Sequence, residues 1–111
     1  KWKEISNMDK FSKIDILMAI YKPNLKWLEE QLISLNNQTY ENLNLIVWND
    51  CPDDNFNYNK FFNKYITEFK FKIYKGEINL GSNKAFEKLT KLAKSEYVAY
   101  CDQDDIWLPE N

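Results

Sequence analysis

Apolar and polar positions alternate along the chain in a way that changes period several times. Ile14-Asp15-Ile16-Leu17-Met18-Ala19-Ile20 is a short, nearly continuous apolar run, the pattern of a strand buried on both faces. It stops at Tyr21-Lys22-Pro23-Asn24, where Pro23 disfavours helix at Lys22 and Asn24 suits the N-cap of a helix. Leu25, Leu28, Leu32 and Leu35 then recur at helical spacing, with Lys26, Glu29, Glu30 and Ser34 off that stripe, so an amphipathic helix is predicted to end near Asn36-Asn37. A second apolar run, Leu43 to Trp48, passes into the turn-rich acidic stretch Asn49-Asp50-Cys51-Pro52-Asp53-Asp54.

The pattern continues less sharply. Phe61, Phe62, Tyr65, Ile66 and Phe69 fall at helical spacing, and Phe69-Lys70-Phe71-Lys72-Ile73-Tyr74 alternates like a half-buried or edge strand. Gly76 and Gly81 bracket Glu77-Ile78-Asn79-Leu80 and mark special backbone geometry. Ser82 is expected to cap a third helix with Phe86, Leu89 and Ala93 on its buried stripe and Leu92 beside it. Tyr97 to Cys101 is a fourth strand, leading straight into Asp102-Gln103-Asp104-Asp105-Ile106-Trp107. The order β-α-β-α-β-α-β predicts an α/β, Rossmann-like, mostly parallel sheet with right-handed crossovers, of strand order 3-2-1-4. Residues 1–13 are mostly polar, with an isolated Trp2 and Phe11, and are set aside as a flanking arm.

Composition then removes options. With 111 residues, 44% of them hydrophobic, the chain has material for one core and not two. Fifteen basic residues against seventeen acidic ones leave a net charge of -2, without the electrostatic footprint of a nucleic-acid binder. All the basic residues are lysines, so chemistry needing a histidine base or an arginine clamp cannot come from this chain. Two cysteines, Cys51 and Cys101, are too few for a disulfide scaffold and are read as free thiols. No signal peptide is visible and the longest apolar run is far too short to span a bilayer, which predicts a soluble, cytoplasmic segment.

In a sheet of this order ligands bind beyond the carboxyl ends of the strands, where the strand order reverses. That gathers Tyr21, Asp50 and the Asp102 to Asp105 cluster around one crevice. Three carboxylates within four residues repel one another unless a cation or hydrogen-bond donors compensate. Hard oxygen ligands favour Mg²⁺ or Mn²⁺, and a carboxylate pair leaves coordination positions open for phosphate oxygens, implying a diphosphate-bearing substrate. The bland alternative is a solvated acidic loop capping the next helix. An EF-hand does not fit, because the glycine that makes its turn is absent from this stretch. Tyr21 as a packing residue, Asp50 as a turn acid and Lys84 as a solvated helix lysine stand as the structural alternatives at those positions.

Taken together, these segments resemble the N-terminal, nucleotide-binding half of a family 2 glycosyltransferase of the GT-A fold. The matching pieces are Met18-Ala19-Ile20-Tyr21 ahead of a helix, the segment from Leu25 to Tyr40, Trp48-Asn49-Asp50 with its acidic tail, Asn79-Leu80-Gly81-Ser82, and Asp102-Gln103-Asp104-Asp105-Ile106-Trp107-Leu108-Pro109. The resemblance covers roughly residues 14–111, the nucleotide-sugar-binding half of such a domain. It implies that Asp50 accepts from the uracil or other base ring, that Ala19 and Tyr21 line the nucleotide, and that Lys84 leans toward the diphosphate. It further implies that Asp102 and Asp104 are the acids of the Asp-x-Asp motif around Gln103, with Asp104 as direct metal ligand and Asp102 beside it. The cofactor implied is Mg²⁺ or Mn²⁺ and the donor a nucleoside-diphosphate sugar, UDP-type, with a glycan or lipid-linked acceptor in bacterial surface polysaccharide synthesis. The family's catalytic base lies beyond the metal motif, past Asn111, so none is expected here, and an incomplete domain of this kind is expected to self-associate. The competing readings are a nucleotidyltransferase, which would want a glycine-rich basic loop where Tyr21-Lys22-Pro23-Asn24 stands, and a non-catalytic acidic metal-binding module.

Overall fold

A computed structural model describes residues 12–102. Four strands, β1 (Ile14–Ile20), β2 (Leu43–Asn49), β3 (Lys70–Lys75) and β4 (Tyr97–Asp102), alternate with three helices, α1 (Leu25–Asn36), α2 (Tyr58–Tyr65) and α3 (Ser82–Leu92). The sheet order is β3-β2-β1-β4 and every pair is parallel, as the sequence predicts. Parallel strands need crossovers, and each helix here supplies one.

The continuous apolar runs of β1 and β2 reflect burial on both faces. Ile14, Ile16, Met18 and Ile20, with Leu43, Leu45 and Val47, pack with Leu28, Leu32 and Leu35 of α1 and Phe62 of α2. Leu17 and Ile46 point the other way and meet Leu89 of α3. Each fully buried leucine contributes about 2 kcal/mol by its removal from water, so the α1 stripe is a principal support of the sheet. β3 lies at an edge with Lys70, Lys72 and Lys75 exposed, and edge lysines discourage further strand pairing.

Four local expectations are corrected. Leu25 is exposed, and Gln31 takes the fourth buried position of α1; the first turn extends past the core, and Gln31 reaches Cys101 Sγ through Nε2 at 2.9 Å. α2 begins at Tyr58, capped by Asn57 through its side chain to Lys60 N, and ends before Ile66, which is extended. Phe69 lies beyond it. On α3 the buried pair is Ala85 and Leu89, with Phe86, Leu92 and Ala93 only half-buried, because the small Ala85 is what lets the helix sit close to the sheet. Finally, α3 is capped by Gly81 and not by Ser82, which is its first helical residue. The N-cap Asn24 of α1 is as expected, accepting from Lys26 N and Trp27 N at 3.0 and 3.1 Å. Both cysteines are buried, and neither is part of a disulfide.

One acid sits inside the apolar run of β1. Asp15 is buried, and its Oδ2 accepts from Lys94 N and Ser95 N at 2.8 and 2.9 Å while Oδ1 accepts from Asn44 Nδ2 at 3.2 Å. It therefore ties the α3–β4 connection to the start of the sheet. Burial pushes its pKa up, but the hydrogen bonds from Ser95, Lys94 and Asn44 outweigh that and hold it below the ordinary carboxylate value.

Candidate functional site

A cavity of about 390 Å³ opens at the carboxyl ends of β1 and β2, bounded on its other side by the β3–α3 loop and the start of α3. Ala19, Tyr21, Asp50, Asn79, Gly81 and Phe86 are among the residues that line it. This is the crevice expected at the strand-order reversal: β1 has β2 on one side and β4 on the other, and Ala19 stands opposite both Trp48 and Asp102 in register.

Asp50 is the electrostatic centre of the described part of the site. It comes directly after β2, is 4% exposed, and its backbone N–H donates to Ile20 O at 2.8 Å, locking the ends of β1 and β2 together. Its carboxylate faces three donors. Leu80 N reaches Oδ1 at 2.9 Å, Gly81 N reaches Oδ2 at 2.8 Å, and Trp48 Nε1 approaches Oδ1 at 3.3 Å. Two successive backbone amides on one carboxylate fix the β3–α3 loop against the strand end. Asn79 Oδ1 shares the Gly81 N–H at 3.1 Å, which leaves the Asn79 amide NH₂ as a donor on the cavity wall.

The two glycines make that arrangement possible for different reasons. Gly81 has φ +86° and ψ 162°, a combination that side-chain-bearing residues rarely adopt, and its carbonyl accepts from Ala85 N to open α3. Gly76 instead allows a close approach, since a Cβ there would stand 3.1 Å from Trp48 Cζ2 and 3.2 Å from Ile78 O. The Trp48 indole lies over Gly76 and points its N–H at Asp50. Trp48 is thus a packing residue with a polar task as well.

The other predicted site residues fall into three groups. Ala19 and Tyr21 border the cavity, and Tyr21 is exposed there and not packed beneath the loop. Lys84 is exposed in the first turn of α3 and is not on the cavity wall. Asp102 ends β4 beside Ala19, whereas Gln103, Asp104 and Asp105 lie outside the described residues. No group of three or more metal-ligating side chains stands among the described residues. The acidic tail after Asp50 is structural: Asp54 accepts from Phe56 N and from the Tyr58 hydroxyl, and Lys75 Nζ donates to its carbonyl at 2.7 Å. The hydroxyl of Tyr58 is the main reason the Asp54 pKa lies below the ordinary value. Asn79, Ala85 and Phe86 are cavity residues that the sequence pattern does not single out as such, although the Gly76 to Gly81 bracket signals the loop that carries Asn79.

The pattern of the glycosyl transferase family 2 matches residues 15–111, nearly the whole chain. The chain belongs to that family. Over 111 aligned residues it is 32% identical to an uncharacterized glycosyltransferase of Methanocaldococcus jannaschii, a match covering 96% of this chain and 36% of that protein. The chain thus spans about a third of that relative's length. S. aureus TarS is 27% identical, with a TM-score of 0.68 over 83% of this chain and 16% of its own, and it has also been solved with UDP and with UDP-GlcNAc. The Pyrobaculum calidifontis mannosyltransferase PcManGT, solved with GDP-Man and Mn²⁺, has a TM-score of 0.71 over 96% of this chain and 32% of its own at 16% identity, a likeness of fold.

Proposed function

We propose that this chain is the donor-binding part of a glycosyltransferase that moves a sugar from a nucleoside diphosphate to a hydroxyl of a glycan or lipid-linked acceptor, with inversion at the anomeric carbon. The observation that carries the reading is the cavity at the strand-order reversal, with the anchored Asp50 on one wall and the end of β4 alongside. Family membership supports the reaction class.

In this reading the base sits against Asp50 and Tyr21, and Ala19 leaves room at the end of β1 for the nucleoside. The diphosphate then runs toward the end of β4. Asp102 and Asp104 are the carboxylates suited to hold Mg²⁺ or Mn²⁺ there, since hard oxygen donors match those ions, and the bound ion would neutralise charge on the departing diphosphate. Lys84, on the exposed first turn of α3, would add positive charge to the diphosphate's surroundings. Strand ends and a tethered loop pre-organise these contacts, so binding orients the anomeric carbon before the acceptor arrives. The site lies on the cytoplasmic side in this proposal, where nucleotide sugars are supplied.

Calorimetric titration with UDP, with and without Mn²⁺, tests it. Binding that needs the metal and falls at least tenfold in Asp104→Ala is expected. Indifference to nucleotides under all conditions rejects the donor site and favours an interaction module.

A further inference from the structure

β3 and α3 together carry six lysines and a single acid, Glu87, in a chain whose net charge is -2. Strand register and helix geometry bring most of that positive charge to one surface. On β3, Lys70 and Lys72 stand opposite Asn44 and Ile46 and share a face with Tyr74, which packs against the cluster of Ile46 and Leu89 on the α3 side of the sheet. α3 lies over β1 and β2, so Lys70 and Lys72 stand beside the helix and are exposed. Phe86 and Thr90 meet Tyr100, which marks the flank of α3 that faces β4. At about 100° per residue, Lys88 stands roughly 200° round the axis from each of them, on the flank that faces β3, with Lys84 one turn earlier. Both are exposed, as is Lys91. Glu87, four residues before Lys91, offsets one charge at the outer rim. A trough between β3 and α3 is thus lined by lysine on both sides.

The β3–α3 loop closes that trough at the end nearer the cavity, whose wall includes Asn79 and Gly81 of the same loop. It also carries Ile78, which is 65% exposed; among the described residues no large apolar side chain is more exposed.

We propose that this surface docks the protein on an anionic lipid bilayer, with the lysines against the headgroups and Ile78 entering the interface. Lysine ammonium groups are compact point charges, suited to a diffuse negative surface, and the forked guanidinium that grips a single phosphate is absent from the chain. An exposed isoleucine at the rim gains nothing from a soluble polyanion, whereas a bilayer interface accepts it. A nucleic acid would also be met by ring faces for stacking, but the Tyr74 ring already has Lys72 Nζ over it, 5.1 Å from its centroid. The assignment does not depend on the donor-site reading; combined with that reading, it narrows the acceptor to one carried in lipid, reaching the cavity from the membrane side.

The test is sedimentation of the full chain with phosphatidylcholine vesicles, with and without phosphatidylglycerol. Binding is expected only where phosphatidylglycerol is present, and is expected to weaken as salt is raised. Each lysine held at such a surface strengthens partition about fivefold, so Lys72→Gln combined with Lys88→Gln is expected to weaken it on the order of twentyfold. Lys60→Gln combined with Lys64→Gln removes the same charge from α2, which covers the opposite face of the sheet, and is expected to leave binding unchanged. Ile78→Ser is expected to lower binding severalfold while its salt dependence persists; unchanged binding in that variant overturns the insertion of Ile78. Equal sedimentation with both kinds of vesicle, equal loss in the two double variants, or tighter binding to duplex DNA that is lost with Lys72 and Lys88 overturns the docking surface. UDP titration of the Lys72 and Lys88 double variant is expected to match the parent chain, so failure of the donor site and failure of the membrane surface appear in different measurements.

Discussion

Replacing Gly81 by alanine isolates one contribution to the site's energetics. A Cβ at Gly81 would meet no atom within 4 Å, so steric exclusion contributes nothing. What remains is the backbone, held at φ +86° and ψ 162°, where a non-glycine residue costs about 1–3 kcal/mol. Against this stands a gain of about 0.4–1 kcal/mol from the reduced freedom of the unfolded chain. The net expected loss is therefore about 1–2 kcal/mol, or on the order of 5–15 °C in Tm for a domain of this size. Should the backbone relax to escape the strain, the Gly81 N–H leaves Asp50 Oδ2 and the loss is of the same order, because a charge-assisted hydrogen bond is given up. Urea unfolding monitored by tryptophan fluorescence measures the stability, and UDP titration measures the site. Both are expected to fall together. An unchanged unfolding midpoint in Gly81→Ala would refute the assignment of a glycine-only conformation at the cap of α3.

Two further substitutions probe the supports on either side. In Gly76→Ala the new methyl crowds Trp48 Cζ2 and the Ile78 carbonyl; a loss of about 1 kcal/mol is expected, with a shifted tryptophan emission spectrum as the indole moves from Asp50, and an unaltered spectrum would count against the contact. Asp15→Asn is expected to cost about 1–2 kcal/mol at neutral pH and to flatten the acid limb of stability. The sign is set by the lowered pKa of Asp15: its contribution is whole above the unfolded aspartate value of about 4 and is lost as pH falls through the lower native value. Urea midpoints between about pH 6 and 2 should therefore converge for the variant and the parent chain at the acid end; parallel curves would argue that Asp15 is not the group being protonated.

The fold was legible because its physics is written in side-chain periods. Burial on both faces makes β1 and β2 continuous apolar runs, and one-sided burial gives α1 its leucine stripe. Parallel order and handedness are then dictated by chain connectivity, and they bring the ends of β1, β2 and β4 together. Asp50 was legible by position for the same reason. Two of its three partners were not, since they are the backbone amides of Leu80 and Gly81, and a peptide N–H leaves no mark in the residue alphabet. Asp15 is the same case: an acid inside an apolar run announces that something compensates it, but not that Lys94 and Ser95 do so through the main chain. The cap of α3 illustrates a different limit. Ser82 has the better capping side chain, yet the chain enters the helix through a positive-φ turn that favours glycine, so conformational freedom outranks the hydroxyl.

These two kinds of information meet at Asp50. A turn acid and a ligand-binding acid are usually weighed as alternatives, but in the proposed donor site the first would be a condition of the second. Gly76 admits the Trp48 indole, Trp48 and the amides of Leu80 and Gly81 occupy three acceptor positions, and the loop so held brings Asn79 to the cavity wall. In the proposed donor site affinity therefore depends on that tether, and a substitution that loosens the loop, Gly81→Ala among them, is expected to weaken UDP binding and stability together.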